Sequence, residues 1–465
     1  MYHVVIIGSG PGGYVAALKA AQLGAKVAVV ESARLGGTCL NRGCIPTKAL
    51  VKSATAYVEA QHLANFGVRT GPVELDLPGV MAHKERTVAQ LVGGVEKLLS
   101  AAGVSLFRGR GQIVAPGRVR VTGADGEQEL ETKNIIIATG SKPQLPPVDQ
   151  ESLEHTISSD DALALPRVPE SMIVIGGGVL GVEFACIWNA FGTRVEMVKR
   201  SPLILPPVDE EISRRLMTLL RRKQVKVNSG IYIKEIVDTG GGKRLSGDTK
   251  DGGKVSFEAE LVLVAMGRVP DFGGLDLDAL GIAHDKNGIK TDGHMQTNVP
   301  GIYAIGDVVG RTYLAPVASA EGIVAVEHLM GHAREMDYSV IPNCVFSIPE
   351  VAGVGLKESE AREKGYDVKV SKFPFSANGR AVAMGETEGL VKLVADDATG
   401  RILGMHIMGP HADDLIHEGA MALAMGATGR QVADMIHAHP TLCETIMEAA
   451  HGLVGQPLHL ARMGR

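Results

Sequence analysis

Cys39 and Cys44 stand five residues apart in GGTCLNRGCIPTK (residues 36–48), and together they account for two of the chain's five cysteines. Two thiols at that spacing have three uses: a structural staple, half of a metal site, or a pair that cycles between dithiol and disulfide. A second kind of chemistry is written in glycine. Gly8, Gly10 and Gly13 form one GxGxxG run, and Gly176, Gly178 and Gly181 form another. In such a run the first glycine permits a tight turn and the second lets backbone approach a pyrophosphate. The third lets the following helix pack on the preceding strand. Amides at the helix start then bind the phosphates, and an acid ending the next strand, here Glu31, accepts hydrogen bonds from a ribose.

The flanking residues supply the elements these motifs need. YHVVIIG is a β-branched run, GPGGYVAALKAAQLG has helical composition and AKVAVVE is a second strand, so residues 2–31 read as a βαβ unit. The same grammar recurs at 171–200, with SMIVIG, a glycine-led helix and TRVEMV. Two dinucleotide modules in one chain imply two dinucleotides with electrons passing between them. NIIIATGSKPQLPPV, LVLVAMGRVPDF (261–272) and VPGIYAIGDVV (299–309) read as buried strands running into loops. Residues 53–107 read as largely helical. After about residue 345, strands such as GLVKLVAD and ILGMHIMG precede helical stretches such as ADDLIHEGAMALAMG, the pattern of a separate α+β unit.

Length and composition agree. A chain of 465 residues needs two to four domains, and 45% hydrophobic residues with 58 glycines suit an α/β protein rich in turns. A net charge of -5 gives no reason to expect nucleic acid or an acidic membrane as partner. Five cysteines are too few and odd in number for a disulfide scaffold. The opening MYHVVIIGSG lacks the pattern of a signal peptide. The longest apolar stretch, residues 171–192, is broken by glycines and carries Glu183, which speaks against a membrane span. A cytoplasmic protein is expected.

Assembled in order, these motifs resemble the flavin-dependent pyridine-nucleotide disulfide oxidoreductases over essentially the whole chain. The carrying residues are the two glycine runs, GGTCLNRGCIPTK, ATGS at 138–141, AMGRVP at 265–270, YAIGD at 303–307 and HAHPTLCE at 437–444. Within that family the chain looks most like the members that oxidise dihydrolipoyl groups. The resemblance implies two Rossmann-like domains, for FAD (1–147) and for NAD(P) (148–272). A central domain (273–343) would complete the FAD site, and a C-terminal α+β domain (344–465) would form a homodimer. It implies that Cys44 is the thiolate beside the flavin, that Cys39 exchanges with substrate, and that Lys48 pairs with Glu183. The two cysteines are expected on the first turns of a helix, whose amino end favours a thiolate. Asp307 would bond the flavin ribityl chain. A helix starting in YLAPVASAEG would turn its positive end toward the flavin, with Ala315 near the ring. Pro11, Gly12, Gly37, Thr38, Gly111, Thr139, Gly140 and Gly267 would line the cofactor sites. His439, oriented by Glu444, would serve as the base, reaching the disulfide of the other subunit. Cys443, beside that acid, is expected to be a small buried thiol, and His437 to be structural. The implied partner is a lipoyl-bearing acyltransferase or glycine-cleavage carrier protein. A zinc site would need two more ligands in suitable spacing, whereas Cys186, Cys344 and Cys443 stand singly. A structural disulfide over so short a loop would constrain the unfolded chain little.

Two departures matter. Where Glu31 ends the first module, the second reads EMVKRSP and places Lys199 and Arg200 at the ribose. Cations there favour a 2′-phosphate and so NADP, while the family resemblance favours NAD. The plainer reading sends both side chains to solvent. In LAPVAS, Pro316 stands where histidine is common in the dihydrolipoyl-oxidising members, and proline suits a first helical turn. Other functions compete. An NADPH-driven reductase of glutathione would need a cationic site for the tripeptide. A mercuric reductase would need a terminal cysteine pair, which GQPLHLARMGR lacks. A non-catalytic subunit of a multienzyme complex would have no use for Cys39, Cys44, His439 and Glu444.

Overall fold

The computed structural model of the chain describes residues 1–124 and 126–461; the end of the terminal stretch, residues 462–465, lies outside the described residues. Three sheets organise it. In the first, the strands Ser105–Arg108, Val27–Glu31, Tyr2–Ile7 and Gly126–Ile137 run parallel in that order. Ile302–Ala304 returns from far along the chain to pair with Gly126–Ile137. The same long strand then turns back through Arg118–Gly123 and Arg110–Ala115 as an antiparallel meander. Helices and the antiparallel meander together bury the parallel strands on both faces, which is why VVII, VAVV and III are continuous apolar runs with no polar alternation.

The second sheet repeats the plan. Lys226–Ser229, Arg194–Lys199, Ser171–Ile175 and Leu261–Val264 lie parallel. An antiparallel meander of Ile231–Asp238, Lys243–Thr249 and Lys254–Ala259 follows the helix Glu210–Arg222 and its strand. The repeat extends to atomic packing. Gly8 has φ +105° and Gly176 φ +121°, and a Cβ at either would sit 2.3 or 2.2 Å from the carbonyl oxygen of Ala138 or Ala265. A Cβ at Gly13 or Gly181 would come within 2.0 or 2.6 Å of the carbonyl oxygen of Gly8 or Gly176. Only glycine lets each helix close on its strand.

The third sheet is antiparallel, in the order Asn343–Val345, Glu350–Gly355, Ile402–Gly409, Leu390–Asp396 and Val368–Pro374. The helices Ala412–Ala424 and Glu444–Val454 pack on it and close a separate apolar core. No helix among the described residues is long and apolar enough to cross a membrane.

One expectation needs correction. Cys39 and Cys44 do not share one helix: Cys39 lies in Gly37–Arg42 and Cys44 opens Cys44–Gln61, with Gly43 breaking the ladder at φ -138°, ψ -110°. LVLVAMGRVPDF is a buried strand running into a loop, as expected. Leu261–Val264 ends at the glycine loop, and Arg268–Pro270 crosses to pair with Ser141–Pro143 beside the first sheet.

Candidate functional site: a cysteine pair between two dinucleotide modules

The break at Gly43 is what brings the sulfurs together. Asn41 Nδ2 donates to the carbonyls of Leu35 (2.8 Å) and Gly37 (2.9 Å), which holds the turn ahead of Cys39. Thr47 Oγ1 donates to the Gly43 carbonyl at 2.6 Å, which ties the first turn of the second helix to the break. Both cysteines are free, and their side chains hydrogen bond to each other. That bond makes them unequal. The Cys39 hydrogen bond, helped by the Lys48 ammonium, outweighs burial and brings Cys44 down to about 7. The same bond, together with burial, pushes the Cys39 thiol far above the ordinary range. The Lys48 ammonium and the shared hydrogen bond both favour charge on Cys44 over charge on Cys39.

Lys48 lies one helical turn beyond Cys44. Its Nζ donates to Glu183 Oε1 and Oε2 at 3.0 and 3.1 Å. Glu183, on the helix Val179–Ala190 of the second module, is buried at 1% exposure. A third segment completes the cluster. The amide of Phe346 donates to Glu183 Oε1 at 3.0 Å, and its ring lies 4.3 Å beneath the Lys48 ammonium. The redox helix, the second module and the third sheet thus meet at one ion pair.

The first glycine loop fits a dinucleotide. A Cβ at Gly10 would meet nothing nearer than the Gly37 Cα at 4.0 Å, so backbone is open at the one motif position where a phosphate must approach. Gly10 caps the helix Pro11–Gln22, with Gly12 and Gly13 in its first turn, where amides are free for an anion. Glu31 folds against this loop, accepting from Ser9 N (2.9 Å), Ser9 Oγ (2.5 Å) and Ala33 N (2.8 Å). Gly37 and Thr38 begin the short helix across from Gly10, and Gly111 packs on Ile7 and Val30 behind the strands. The helix Ala315–Leu329, with Pro316 in its first turn, lies along Pro11–Gln22. Ser319 Oγ reaches the Pro11 carbonyl at 3.3 Å, and Gly322 crosses the Gly12 carbonyl, so the two amino ends share one end of the unit.

Asp307 sits in the turn Gly306–Val309, also at this end. Burial raises its carboxyl, while Ser141 and Arg268 work against that rise. Ser141 Oγ donates to Asp307 Oδ2 at 2.5 Å and accepts from Arg268 Nε at 2.7 Å. Behind it, the buried Glu321 accepts from Gly306 N (2.6 Å) and from the Tyr338 hydroxyl (2.7 Å), fixing the turn from the rear. Thr139 Oγ1 donates to the Asp271 carbonyl at 2.6 Å, and Gly140 and Gly267 take φ +77° and +110° in the two crossover turns.

In the second module Gly178 opens on clear space, as Gly10 does. Lys199 and Arg200 behave differently from each other. Arg200 is exposed, but Lys199 does not run to solvent: its stem crosses Gly177 and its Nζ donates to the Ser201 carbonyl at 2.5 Å. Burial, with Arg221 nearby, lowers its ammonium to about 8.

His439 and Glu444 meet on the third sheet's outer side. His439 Nδ1 bonds Glu444 Oε1 at 2.8 Å, and the Thr441 amide holds Oε2 at 2.9 Å. Burial works to raise the Glu444 carboxyl, but the Thr441 amide and His439 outweigh it and hold it low. The His439 side chain is 78% exposed, and among the described residues its one hydrogen-bond partner is Glu444, remote in sequence from Cys39 and Cys44. His437 bonds Glu418 at 2.9 Å, which raises it. Cys443 is half-buried rather than enclosed, because it occupies the cap of Glu444–Val454 at the edge of the third core.

Sequence reasoning passed over Phe346, Ser141, Arg268 and Glu321. Each contributes through a partner more than a hundred residues away or through a turn on another strand. The one signal available was charge inside apolar surroundings, as with Arg268 in AMGRVP and Glu321 after PVASA.

Residues 2–322 match the family model described as pyridine nucleotide-disulphide oxidoreductase, and residues 341–450 match the dimerisation domain of the same description. A dihydrolipoyl dehydrogenase of Bacillus subtilis (strain 168) is 42% identical over 98% of this chain and 99% of its own length. A mitochondrial dihydrolipoyl dehydrogenase of Pisum sativum is 42% identical over 98% of this chain and 92% of its own. Among solved structures, LpdA from Mycobacterium tuberculosis superposes with a TM-score of 0.89 at 29% identity, covering 97% of this chain and all (100%) of that one.

Proposed function

The chain belongs to the pyridine nucleotide-disulphide oxidoreductase family, and on that footing we propose that it oxidises protein-bound dihydrolipoyl groups, using a Cys39–Cys44 disulfide, FAD and NAD(P)+. The observation that carries the reading is the placement of the two free thiols: Cys39 and Cys44 face each other across the break at Gly43, with the Lys48 ammonium, held by Glu183, one turn beyond Cys44. A permanent staple has no use for a tethered cation beside it, whereas a pair that must carry a thiolate while it exchanges with substrate does.

The chain's own residues do the following. With the pair oxidised, His439 takes a proton at Nε2 from one dihydrolipoyl thiol, Nδ1 being committed to Glu444. The resulting thiolate attacks Cys39 Sγ, the Cys39–Cys44 bond breaks, and its electron pair leaves on Cys44. The second lipoyl thiol attacks the first lipoyl sulfur, and as the mixed disulfide breaks its proton passes to the leaving Cys39 sulfur. The lipoyl group has lost two electrons and two protons, the cysteine pair has gained two electrons, and the protons rest on Cys39 and on His439, which releases its own to water. Lys48 offsets the charge then carried by Cys44, and Glu183 with Phe346 holds Lys48 in place. Gly10, Glu31, Ser141 and Asp307 would hold FAD, which would supply a two-electron carrier between this thiolate and the nicotinamide.

The match of residues 341–450 to a dimerisation domain supports a homodimer, in which each His439 would serve the partner subunit's disulfide. Division at 1–147, 148–272, 273–343 and 344–465 separates the flavin, nucleotide, central and dimer roles. The protein would work in the cytoplasm on a lipoyl-bearing acyltransferase or glycine-cleavage carrier protein. Replacing Cys44 by serine tests the reading: lipoamide-dependent reduction of NAD(P)+ should vanish while bound flavin is retained. Full lipoamide turnover in Cys44→Ser would refute it.

A further inference from the structure

Lys199 holds the same place in the second module as Glu31 in the first. Ile7 pairs with Val30 and Ile175 with Val198, so Glu31 and Lys199 are each the next residue along. The first glycine of each loop donates to the strand at the same point, Gly8 N to Val30 O at 2.8 Å and Gly176 N to Val198 O at 2.9 Å. The residues that follow those glycines differ together. Ser9 is bonded to Glu31 through N and Oγ. Its counterpart Gly177 carries no side chain, and a Cβ there would fall 2.4 Å from Lys199 Cδ. A serine–glutamate pair in one module has become a glycine–lysine pair in the other. The missing side chain at 177 is what gives the lysine stem its path.

The consequence is a reversal of charge at the position that meets an adenosine ribose. A carboxylate there accepts from the 2′- and 3′-hydroxyls and repels a 2′-phosphate, and cations do the opposite. Lys199 is anchored by the Ser201 carbonyl, so its ammonium is a fixed charge at the loop, while Arg200 is exposed and free to fork onto a phosphate. Arg221, on the helix Glu210–Arg222, adds to the positive field felt by Lys199.

We infer that the second module takes the 2′-phosphorylated nucleotide, NADP(H), with Arg200 binding the 2′-phosphate and Lys199 supplying fixed positive charge beneath it. This rests on the dehydrogenase reading only for the existence of a nucleotide site. The test is calorimetric titration of the flavin-loaded protein with adenosine 2′,5′-bisphosphate and, separately, with AMP. The bisphosphate should bind ~10-fold or more tightly than AMP. Arg200→Glu, a change at an exposed position, should remove that preference and leave AMP affinity within about twofold. Gly177→Ser with Lys199→Glu, which rebuilds the arrangement of Ser9 and Glu31, should invert it, with a melting curve confirming the fold. Equal affinity for the two ligands in the unaltered protein, or a preference untouched by Arg200→Glu, overturns the inference. Because neither ligand needs a lipoyl substrate, loss of the dihydrolipoyl reading would leave this titration unchanged.

Discussion

Replacing Lys48 by methionine separates the two things its ammonium does. Toward Glu183 it is the partner of a buried carboxylate, at 3.0 and 3.1 Å. Removing it leaves that carboxylate, among the described residues, with the Phe346 amide alone. Breaking a buried pair from one side costs about 3–5 kcal/mol. The Lys48 side chain keeps 30% of its exposure, so the lower end, about 3 kcal/mol, applies. Toward Cys44 the same ammonium favours the thiolate. Without it the Cys44 pKa rises, and a rise of about one unit, worth about 1.4 kcal/mol, takes the thiolate at pH 7 from about half to about a tenth of molecules. Two assays on the reduced protein read these effects apart. Urea unfolding should show the stability loss in Lys48→Met and recover most of it in Lys48→Met with Glu183→Gln. Titration of ultraviolet thiolate absorbance should show Cys44 shifted upward in both variants, because the second change restores stability and not the cation. Unaltered unfolding in Lys48→Met, or a thiolate that still titrates near 7, would refute the reasoning.

Two further predictions concern the seam between the second module and the third sheet. Lys392 is buried between Asp209 (2.9 Å) and Glu358 (3.0 Å), so Lys392→Met should cost about 3–5 kcal/mol in urea unfolding. Adding Asp209→Asn, which keeps a cap for Glu210–Arg222, should return part of that loss; no loss in the single variant would sink the account. Burial holds His406 below its ordinary value despite the nearby Asp209, so its neutral form is the folded one. The stability this contributes is whole above about pH 6.5 and fades as pH falls. Between about pH 7.5 and 5 the melting temperature should therefore fall further in the unaltered protein than in His406→Gln, and parallel falls would count against it.

Legibility in the sequence followed the range over which each feature acts. The glycine runs, the cysteine pair and the His439–Glu444 dyad are written within a few residues, because a turn, a helix start or a spacing of five fixes their local geometry. The break at Gly43 escaped notice because its effect is a backbone angle that a string of helix-compatible residues does not display. Phe346 escaped because it acts through its backbone amide and ring face on a pair drawn from two other segments. Lys199 was visible as a charge, but its path over Gly177 depends on a loop and a strand end meeting in space.

What the sequence alone determined is the architecture of two glycine-led parallel modules and an α+β unit, and the presence of a cysteine pair beside the first. Apolar periodicity and glycine act through the backbone nearest them, so they are readable residue by residue. The family resemblance already implied a Cys44 thiolate and a Lys48–Glu183 pair; only the tertiary structure supplied the break at Gly43, the Phe346 amide and ring that hold the pair, and the path of Lys199 over Gly177. The contacts of that pair join groups 135 and 163 residues apart, and their energies depend on distance and burial that no spacing along a chain can supply.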